Sequence, residues 1–272
     1  MINIKKVTPP IKYPGGKRFL VDHIQIIWGL AKCRRLVEPF SGGMAISLGI
    51  APKNALLNDI NPHIINFYES IRDGLKIELD MVNEEAFYYD MREKFNNLIK
   101  EGKHLTHESA SIFYYLNRTG FNGLVRFNKS GLYNVPFGRY KKINYHREFP
   151  EVEKTIKKWK FACGDFSKLR INQTDFLYVD PPYDVEFRSY AGNNFQWEEQ
   201  ERLIKHLSKY SCPIVISNQA TDRIVELYSD YGYKINLIDA PRMISCDGNR
   251  ARAQEVLAIK NMTIKPNKSP FK

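Results

Sequence analysis

Residues 175–183, DFLYVDPPY, are the stretch that most strongly predicts the fold of this 272-residue chain. Asp175–Val179 is a short apolar run with aromatic and β-branched side chains, which is typical of a buried parallel strand. Asp180 follows at the carboxyl end of that strand, where open α/β sheets bind their ligands. The two prolines after it carry no backbone N–H, so this segment offers only hydrogen-bond acceptors. Together with the ring of Tyr183, these acceptors suit a planar base that has an exocyclic amino group.

The predicted catalytic residues are therefore Asp180, Pro181, Pro182 and Tyr183. The amino nitrogen of adenine is a poor nucleophile because its lone pair is delocalised into the ring. If the Asp180 carboxylate and the Pro181 carbonyl each accept one of its hydrogens, the nitrogen becomes more tetrahedral and its lone pair can attack. Stacking on Tyr183 would contribute ~1–3 kcal/mol. The alternative is an ordinary turn after a strand, since Asp-Pro-Pro is common in turns, and these four residues alone leave both interpretations open.

The composition indicates a folded protein with a polyanionic partner. Hydrophobic residues make up 43% of the chain and charged residues 26%, which allows a substantial core and argues against general disorder. The net charge of +11 favours nucleic acid over a membrane surface. No apolar run approaches the ~20 residues that span a membrane, and no signal peptide is recognisable, so we expect a cytoplasmic protein. The four cysteines are widely separated and are expected to be small buried side chains, not metal or redox groups.

A second stretch predicts the first unit of a Rossmann-like fold. Leu36–Phe40 is a candidate buried strand, followed by the turn Ser41-Gly42-Gly43 and a helical pattern from Met44 to Ile50. The next candidate strand ends at Asp59, close to the spacing of roughly 20 residues at which an acidic residue binds a ribose diol. The alternative is that Asp59 is solvated and caps the next helix.

From about Pro62 to Tyr145 the alternation of strands and helices disappears. Apolar residues recur there at helical spacing, which indicates helices with a buried stripe. They are Phe87, Met91, Phe95 and Leu98, then Ala110, Phe113 and Leu116. A loop follows, NRTGFNGLVRFNK at 117–129 and GLYNVPFGRYKK at 131–142, whose cations, amides and aromatic rings suit both phosphate neutralisation and the reading of base edges. We therefore interpret this segment as an inserted, mainly helical target-recognition domain.

After the insert the alternation resumes. Candidate strands and helices lie at 161–166, 175–179, 197–210, 212–217, 224–231 and 234–238, and Met243–Ser245 is expected to pair with Gln254–Ile259 as a hairpin. This order predicts one doubly wound α/β sheet that the insert interrupts. The predicted catalytic domain comprises residues 1–61 and 146–272, and the predicted target-recognition domain comprises residues 62–145.

Five blocks of the sequence match one known family in order. They are KYPGGK at 12–17, EPFSGG at 38–43, NDIN at 58–61, the stretch 116–140, and DPPY at 180–183. Through these blocks the chain resembles the Dam-type DNA adenine-N6 methyltransferases over nearly its whole length. The resemblance implies a Rossmann-like S-adenosylmethionine-dependent methyltransferase sheet and direct methyl transfer to N6 of an adenine in duplex DNA, without a metal. A restriction endonuclease that acts on the same site is a further partner that the resemblance allows.

The resemblance also implies where S-adenosylmethionine binds. Its site would be formed by Tyr13, Lys17, Phe40, Ser41, Gly42, Gly43, Asp59, Asp165, Phe166 and Asp180. Asp165 would accept a hydrogen bond from the adenine amino group of the cofactor, with Phe166 beside it. Tyr13 stands where the family often has a tryptophan, which reduces the area available for stacking.

For the nucleic acid, the resemblance implies an adenine that is turned out of the duplex, at the expense of a few kcal/mol. In relatives that methylate GATC, a lysine at the position of Lys12 and an arginine at that of Arg126 read guanines. Phe121, where the family often has a tyrosine, would insert into the duplex. The DNA-binding residues predicted in this way are Lys12, Arg118, Phe121, Asn122, Leu124, Arg126, Asn128, Pro136 and Arg139. Cations that either contact phosphates or merely face solvent are Arg118, Lys129, Arg139, Lys141, Lys142, Arg250 and Arg252.

Several alternatives stay open at the level of the sequence. The recognition site could differ from GATC, or the substrate could be RNA or the amino group of cytosine, since the acceptor chemistry is the same. A DNA-binding relative that has lost catalysis is an alternative from another class of protein. In addition, Asp184 places a second carboxylate directly after the motif, where it could alter the access of the base.

Overall fold

A mixed seven-stranded sheet forms the centre of the described part of the molecule. The computed structural model of the protein describes residues 6–184, 195–240, 253–264 and 270–271. In chain order the strands are β1 (Arg35–Glu38), β2 (Ala55–Asp59), β3 (Lys160–Cys163), β4 (Asp175–Val179), β5 (Ile214–Gln219), β6 (Lys234–Ala240) and β7 (Ala253–Lys260). Across the sheet the order is β3-β2-β1-β4-β5-β7-β6. The first five strands are parallel and β7 runs antiparallel to both of its neighbours, which confirms the predicted Rossmann-like, doubly wound α/β fold.

Eight α-helices accompany these strands in the described residues. They are α1 (Val21–Ala31), α2 (Ala45–Ile50), α3 (Pro62–Arg72), α4 (Glu85–Lys100), α5 (His107–Thr119), α6 (Pro150–Ile156), α7 (Trp197–Leu207) and α8 (Asp222–Asp230). Local chemistry fixes where several of them begin. Asn61 caps α3 by accepting a hydrogen bond from the His63 N–H at 3.0 Å, and Pro62 occupies the first helical position. Thr106 caps α5 through the Ser109 N–H at 3.2 Å.

Strand β4 is buried on both faces, as its continuous apolar sequence predicts. Phe176 and Tyr178 belong to the larger hydrophobic cluster, which also holds buried residues of α1, α3 and α5. Leu177 and Val179 point to the opposite face and pack in a second cluster with residues of α7 and α8. Because helices cover both faces, a strand in this position has to be apolar throughout. Its carboxyl end is therefore fixed rigidly, and Asp180 with it.

The segment between β2 and β3 contains four helices, α3 to α6, and no strand in the sheet. Both predicted stripes face the core: Phe95, Ala110, Phe113 and Leu116 are fully buried, whereas Phe87, Met91 and Leu98 are half-buried and pack against the same cluster. Helix α3 contacts both β2 and β3 as well as α5. Helix α3 belongs to the predicted target-recognition domain but packs on two strands of the predicted catalytic domain. The division into residues 1–61, 62–145 and 146–272 thus stays a prediction.

The last two strands differ from the predicted hairpin. Met243–Ser245, the predicted partner of Gln254–Ile259, lies outside the described residues, and β7 pairs with β5 and β6. Since β7 is antiparallel to β5, its first residues lie beside the carboxyl end of β5, with Glu255 opposite Gln219. This strand direction brings the start of β7 to the edge of the sheet where the ligand is expected.

Two further expectations concern cysteines and membranes. Cys212 is buried and Cys33 is half-buried, but Cys163 at the end of β3 is exposed, so the expectation that the cysteines are buried is wrong for that residue. Cys246 lies outside the described residues. In the described ranges, no helix is both long enough and apolar enough to cross a membrane. The cytoplasmic location stays a prediction.

Candidate active site

Lys17 and Asp180 form the centre of a cluster at the carboxyl edge of the sheet. The Lys17 Nζ lies 3.2 Å from the Asp180 Oδ1 and donates to the Gly15 carbonyl at 3.0 Å. Only 4% of the Lys17 side chain is exposed, compared with 21% of Asp180. The fold thus brings the PGGK and DPPY blocks together in an enclosed ion pair. Such a pair has to be satisfied by good geometry, because each charge has lost most of its water.

Asp180 is held by a chain of hydroxyl groups as well. Ser217 Oγ donates to Asp180 Oδ1 at 2.8 Å, and the buried Tyr178 hydroxyl lies 2.8 Å from Ser217 Oγ on the other side. Burial raises the pKa of Asp180, and the Lys17 ammonium and the Ser217 hydroxyl oppose that increase. The described contacts fall on Oδ1, so Oδ2 has no hydrogen bond to the described residues. The carboxylate therefore has a fixed orientation and one oxygen available for a ligand.

The rest of the DPPY motif is fixed from two sides. The Tyr183 hydroxyl donates to Glu255 Oε1, and the Lys17 Nζ lies 4.3 Å from the centroid of the Tyr183 ring. The Pro182 carbonyl accepts from Gln200 Nε2 at 2.8 Å, so it is occupied by α7. No described residue donates to the Pro181 carbonyl. Of the two proline carbonyls, Pro181 is thus the one that can accept from a ligand.

The glycine turn after β1 fits closely between Tyr13 and Asp59. The Gly42 N–H donates to Asp59 Oδ2 at 2.8 Å, and the Asn61 N–H donates to Asp59 Oδ1 at 2.9 Å. A Cβ at Gly42 or at Gly43 would lie 2.7 Å from an atom of the Tyr13 side chain, and Gly42 has a φ of +46°. Burial raises the pKa of Asp59, and its hydrogen bonds from backbone N–H groups oppose that increase.

Ser41 adds an unsatisfied polar atom to this turn. Its N–H donates to the Asn58 carbonyl at 2.8 Å, but its buried Oγ has no hydrogen-bond partner in the described part of the chain. Buried hydroxyl groups are normally paired. The turn therefore combines room for close backbone approach with a hydroxyl that a bound molecule could satisfy.

Phe40, Asp165 and Phe166, the other predicted cofactor residues, form a group of two aromatic rings and one carboxylate that follows β1 and β3. The Phe40 ring lies 5.4 Å from the Phe166 ring. Asp165 is bound by both terminal nitrogens of Arg202, at 2.6 and 3.1 Å, and this ion pair holds the pKa of Asp165 below its usual range. Arg202 also lies 4.1 Å from the centroid of Phe166. Asp165 is thus an ionised acceptor, as its predicted role requires. Its two oxygens already accept hydrogen bonds from Arg202, a partner that the sequence did not reveal.

Lys12 and the loop at 117–142 also come together, although they are far apart in the sequence. The Asn117 side chain binds the backbone N–H and carbonyl of Lys12, both at 2.8 Å, and also the Gly123 carbonyl at 3.1 Å. A Cβ at Gly123 would lie 2.3 Å from the Lys12 Cβ, so only glycine permits this approach. The Lys12 Nζ lies 4.0 Å from the centroid of Tyr140.

The predicted base-contacting residues differ in how free they are. Phe121 is 47% exposed, Asn122 and Pro136 are exposed, and Leu124 is half-buried. The Phe121 N–H donates to the Pro136 carbonyl at 2.9 Å, which joins the two parts of the loop. Arg126 is half-buried, and its guanidinium donates to the side chain and the carbonyl of Asn134 at 2.8 and 3.0 Å.

Three predicted DNA contacts are engaged elsewhere in the structure. Arg118 donates to the carbonyls of Asn144 and Pro10, and Arg139 lies 3.3 Å from Glu85 at the surface. The Asn128 side chain accepts hydrogen bonds from two N–H groups of its own turn. Arg118 thus links two segments of the chain. This role differs from both alternatives stated for it, phosphate binding and exposure to solvent. Arg250 and Arg252 lie outside the described residues.

The carboxylate of Asp184 is turned away from the cluster. Both of its oxygens are bound by Arg223 of α8, and the residue is only 8% exposed. Its expected influence on the access of the base therefore lacks support.

Four residues of the cluster were not predicted as individual functional groups; they are Glu38, Arg202, Ser217 and Glu255. A glutamate at the start of the apolar run VLAI was the available signal for Glu255, because a charge beside a buried strand needs an explanation.

Glu38 completes the acidic character of this edge. It ends β1, is 2% exposed, and accepts a hydrogen bond from the Ser47 hydroxyl. Burial raises the pKa of Glu38 to about 8.

Within the described ranges there is no group of three or more His, Cys, Asp or Glu side chains that could hold a metal ion. A cavity of about 290 Å³ lies at the opposite edge, among the amino ends of β1 to β4, and is separate from this cluster.

Comparison with known proteins gives an independent result. Residues 13–244 match the D12 class N6 adenine-specific DNA methyltransferases. The DNA adenine methylase of Vibrio cholerae is 34% identical over 277 residues, which cover 94% of this chain and 97% of that protein. A type II methyltransferase of Lactococcus lactis is 33% identical and covers 89% of each chain. The DNA N-6-adenine-methyltransferase of Escherichia phage P1 is 32% identical over 91% of this chain, but the match spans only 35% of the phage protein.

Among solved structures, magnesium protoporphyrin IX methyltransferase from Synechocystis PCC 6803 aligns over 90% of this chain and 79% of its own, with 13% identity and a TM-score of 0.35. A similarity of that size carries no argument about function. The family match, in contrast, runs from Tyr13 through the DPPY motif and covers most of the chain. The chain therefore belongs to the D12 class N6 adenine-specific DNA methyltransferase family.

Proposed function

We propose that this protein transfers a methyl group from S-adenosylmethionine to N6 of an adenine that is turned out of duplex DNA, within the sequence GATC. The observation that carries the proposal is the state of Asp180. Its carboxylate is fixed at the sheet edge through Oδ1, while Oδ2 and the neighbouring Pro181 carbonyl have no donor among the described residues. Two such acceptors are what the two hydrogens of an exocyclic amino group require.

The residues present fit S-adenosylmethionine. The Ser41 hydroxyl, which has no partner among the described residues, the Gly42-Gly43 backbone and the acidic Asp59 all lie at the first glycine turn of the sheet. We assign the binding of this cofactor to Tyr13, Lys17, Phe40, Ser41, Gly42, Gly43, Asp59, Asp165, Phe166 and Asp180. When bound, S-adenosylmethionine supplies a methyl group activated by its sulfonium.

The chain's own residues would act on the base. Asp180 Oδ2 and the Pro181 carbonyl accept the two N6 hydrogens, and the face of Tyr183 stacks on the ring, with Pro182 stiffening the segment. The Lys17 ammonium opposes the increase that burial imposes on the pKa of Asp180 and so favours the ionised carboxylate. As the nitrogen forms its new bond it loses a proton, which Asp180 Oδ2 is placed to accept. Because the acceptors are fixed before the base arrives, positioning supplies much of the acceleration.

Sequence recognition would come from the loop at 117–142 and from Lys12. Lys12 and Arg126 would each read a guanine, which discriminates by ~1–3 kcal/mol per bidentate contact. The exposed Phe121 ring would fill the space left by the adenine, and Asn122, Leu124 and Pro136 would contact the neighbouring bases. Arg118 and Arg139 would lie near phosphates, and Asn128 would contact the DNA from the same loop. We assign residues 62–145 to target recognition on this basis, and a restriction endonuclease for the same site is a compatible partner.

Methyl transfer to defined nucleic acids tests the proposal. Labelled S-adenosylmethionine would be offered with duplex DNA containing GATC, with the same duplex lacking adenine at that position, with matched RNA, and with a duplex that contains no adenine at all. We expect label only on the GATC duplex, and sequencing of the modified adenines would locate the site. Label on RNA or on cytosine would replace the proposed substrate. Adenine methylation at another sequence would contradict only the GATC part of the proposal.

A further inference from the structure

The Glu255 carboxylate is a buried charge in the cluster for which the proposed chemistry has no use. It is near the start of the antiparallel strand β7, opposite Gln219 of β5, and its side chain is 10% exposed. Its Oε1 accepts the hydrogen bond from Tyr183 and lies 3.9 Å from the Lys17 Nζ. Its Oε2 is buried without a partner among the described residues. A carboxylate in such surroundings is unfavourable unless its contacts serve a purpose.

The contacts of Glu255 converge on two groups of the proposed machinery. Tyr183 is fixed at two points, by the Lys17 ammonium over its ring and by Glu255 at its hydroxyl. Lys17 in turn lies between two carboxylates, closer to Asp180 than to Glu255. Burial raises the pKa of Glu255, whereas the Lys17 ammonium and the Tyr183 hydroxyl oppose that increase. The hydroxyl remains a donor because burial and the two carboxylates raise the pKa of Tyr183 as well.

We propose that Glu255 is a positioning residue for methyl transfer: by accepting the Tyr183 hydroxyl hydrogen bond, it fixes the plane on which the target base stacks, beside the Asp180 and Pro181 acceptors. This inference rests on the proposed function of the site. Glu255 touches neither the base nor the cofactor in this role and acts through Tyr183. A misplaced ring would move the amino group away from its two acceptors. A displacement on the order of 1 Å can lower a rate ~100-fold.

Three variants separate the hydrogen bond from the charge. Glu255→Ala removes both, Glu255→Gln keeps an acceptor oxygen but removes the charge, and Tyr183→Phe removes the hydroxyl but keeps the ring. We expect kcat to fall about 10- to 100-fold in Glu255→Ala and in Tyr183→Phe, with Glu255→Gln between Glu255→Ala and the wild type. The KM values for DNA and for S-adenosylmethionine should change by less than about threefold. Glu226→Gln, on the exposed side of α8, is the matched control and should keep the wild-type rate.

The double variant Glu255→Ala/Tyr183→Phe decides whether Glu255 acts through Tyr183. If it does, the double variant is no slower than the slower single variant within about threefold, because both changes remove the same hydrogen bond. Multiplied effects, a wild-type rate in Glu255→Ala, or an equal loss in Glu226→Gln would each overturn the inference. If Glu255→Ala does not fold, Tyr183→Phe and Glu255→Gln carry the test, and a wild-type rate in Tyr183→Phe overturns it.

A second measurement is independent of methyl transfer. A duplex with 2-aminopurine at the target adenine reports, through its emission, how that base stacks when the protein binds. We expect Glu255→Ala and Tyr183→Phe to change the emission of the bound duplex in the same direction. If the wild type methylates no adenine, the proposed function fails, and the emission still decides whether Glu255 positions the Tyr183 ring against the base. Emission identical to that of the wild type in both variants would exclude that role.

Discussion

At the carboxyl edge of the sheet, buried side chains from separate segments hold one another in place, whereas in the loop at 117–142 several of the predicted DNA-contacting side chains are exposed or are held by near neighbours. Lys17, Asp180, Ser217 and Glu255 come from four different parts of the chain and are connected by contacts among themselves. In the loop, Arg126 is bound by Asn134, and Asn128 by the N–H groups of its own turn.

The difference predicts how each region responds to substitution. In the enclosed cluster, the loss of one group leaves a buried partner unpaired, so the effect spreads and is not additive. In the exposed loop, water replaces a lost contact, so effects are local and close to additive. The proposed chemistry and the proposed specificity thus lie in regions with opposite energetics.

The largest effect is expected for Asp180→Ala, which removes the acceptor at the centre of the coupled cluster. We expect kcat to fall by about 10³-fold, because the ordering of the amino group depends on this carboxylate. DNA affinity should remain near that of the wild type, since the loop is unchanged. Single-turnover transfer and a DNA-binding titration measure the two quantities. Asp230→Ala, at the exposed end of α8, is the control, and near-normal turnover in Asp180→Ala would refute its assignment.

The next effect concerns pH and the coupling between Lys17 and Asp180. Burial raises the pKa of Asp180 and Lys17 lowers it, so Lys17→Met should raise that pKa further. The proposed mechanism requires the ionised carboxylate, so activity should be lost at a higher pH in the variant as the pH falls. Ser217, Glu255, Glu38 and Tyr183 also face this ion pair.

The measurement is kcat/KM as a function of pH for Lys17→Met and for the control Lys53→Met. Lys53 is exposed ahead of β2, at the other end of the sheet. We expect a maximal rate about 10²-fold below that of the wild type, consistent with the loss of one partner from a buried pair. An acidic limb that does not move would show that Lys17 does not control the ionisation of Asp180.

How much of this could be predicted from the sequence depends on strand direction. Strands β1, β2, β4 and β5 are apolar runs, and parallel strands place the residues at their carboxyl ends along one edge, which is why Asp59 and Asp180 were found. Glu255 precedes its apolar run, so it reaches the same edge only because β7 is antiparallel. No local pattern states that direction.

The ion-pair partners of the charged residues could not be predicted from the sequence either. Asp165 and Asp184 stand beside predicted elements, but their binding by Arg202 of α7 and Arg223 of α8 depends on how these helices dock on the sheet. A sequence gives the order of helices and strands and their buried faces. It does not give which arginine reaches which carboxylate, because long side chains can span several alternatives. Hence the acceptor of the motif was predictable and its ionic surroundings were not.

In the loop, we expect Lys12→Ala and Arg126→Ala each to reduce discrimination at one base pair by about 10- to 100-fold, since a bidentate contact is worth ~1–3 kcal/mol. The two losses should multiply in the double variant, in contrast to the cluster variants, because the residues would contact different bases. Transfer rates on GATC duplexes and on duplexes with one guanine replaced provide the comparison. An equal loss of rate on every duplex would indicate phosphate contacts in place of base contacts.

The smallest effect is expected for Arg139, whose guanidinium lies at the surface beside Glu85. Arg139→Ala should weaken DNA binding equally for all sequences and reduce the slope of log K against log salt concentration by about 0.9, the value for one phosphate contact. Glu85→Ala is the matched control, because it frees the arginine without removing it and should leave the slope unchanged or steeper. For the wild type, six to ten phosphate contacts would lower affinity ~10³–10⁵-fold between 50 and 200 mM salt. If Arg139→Ala leaves the slope unchanged while Glu85→Ala destabilises the fold, the arginine anchors α4 and does not contact DNA.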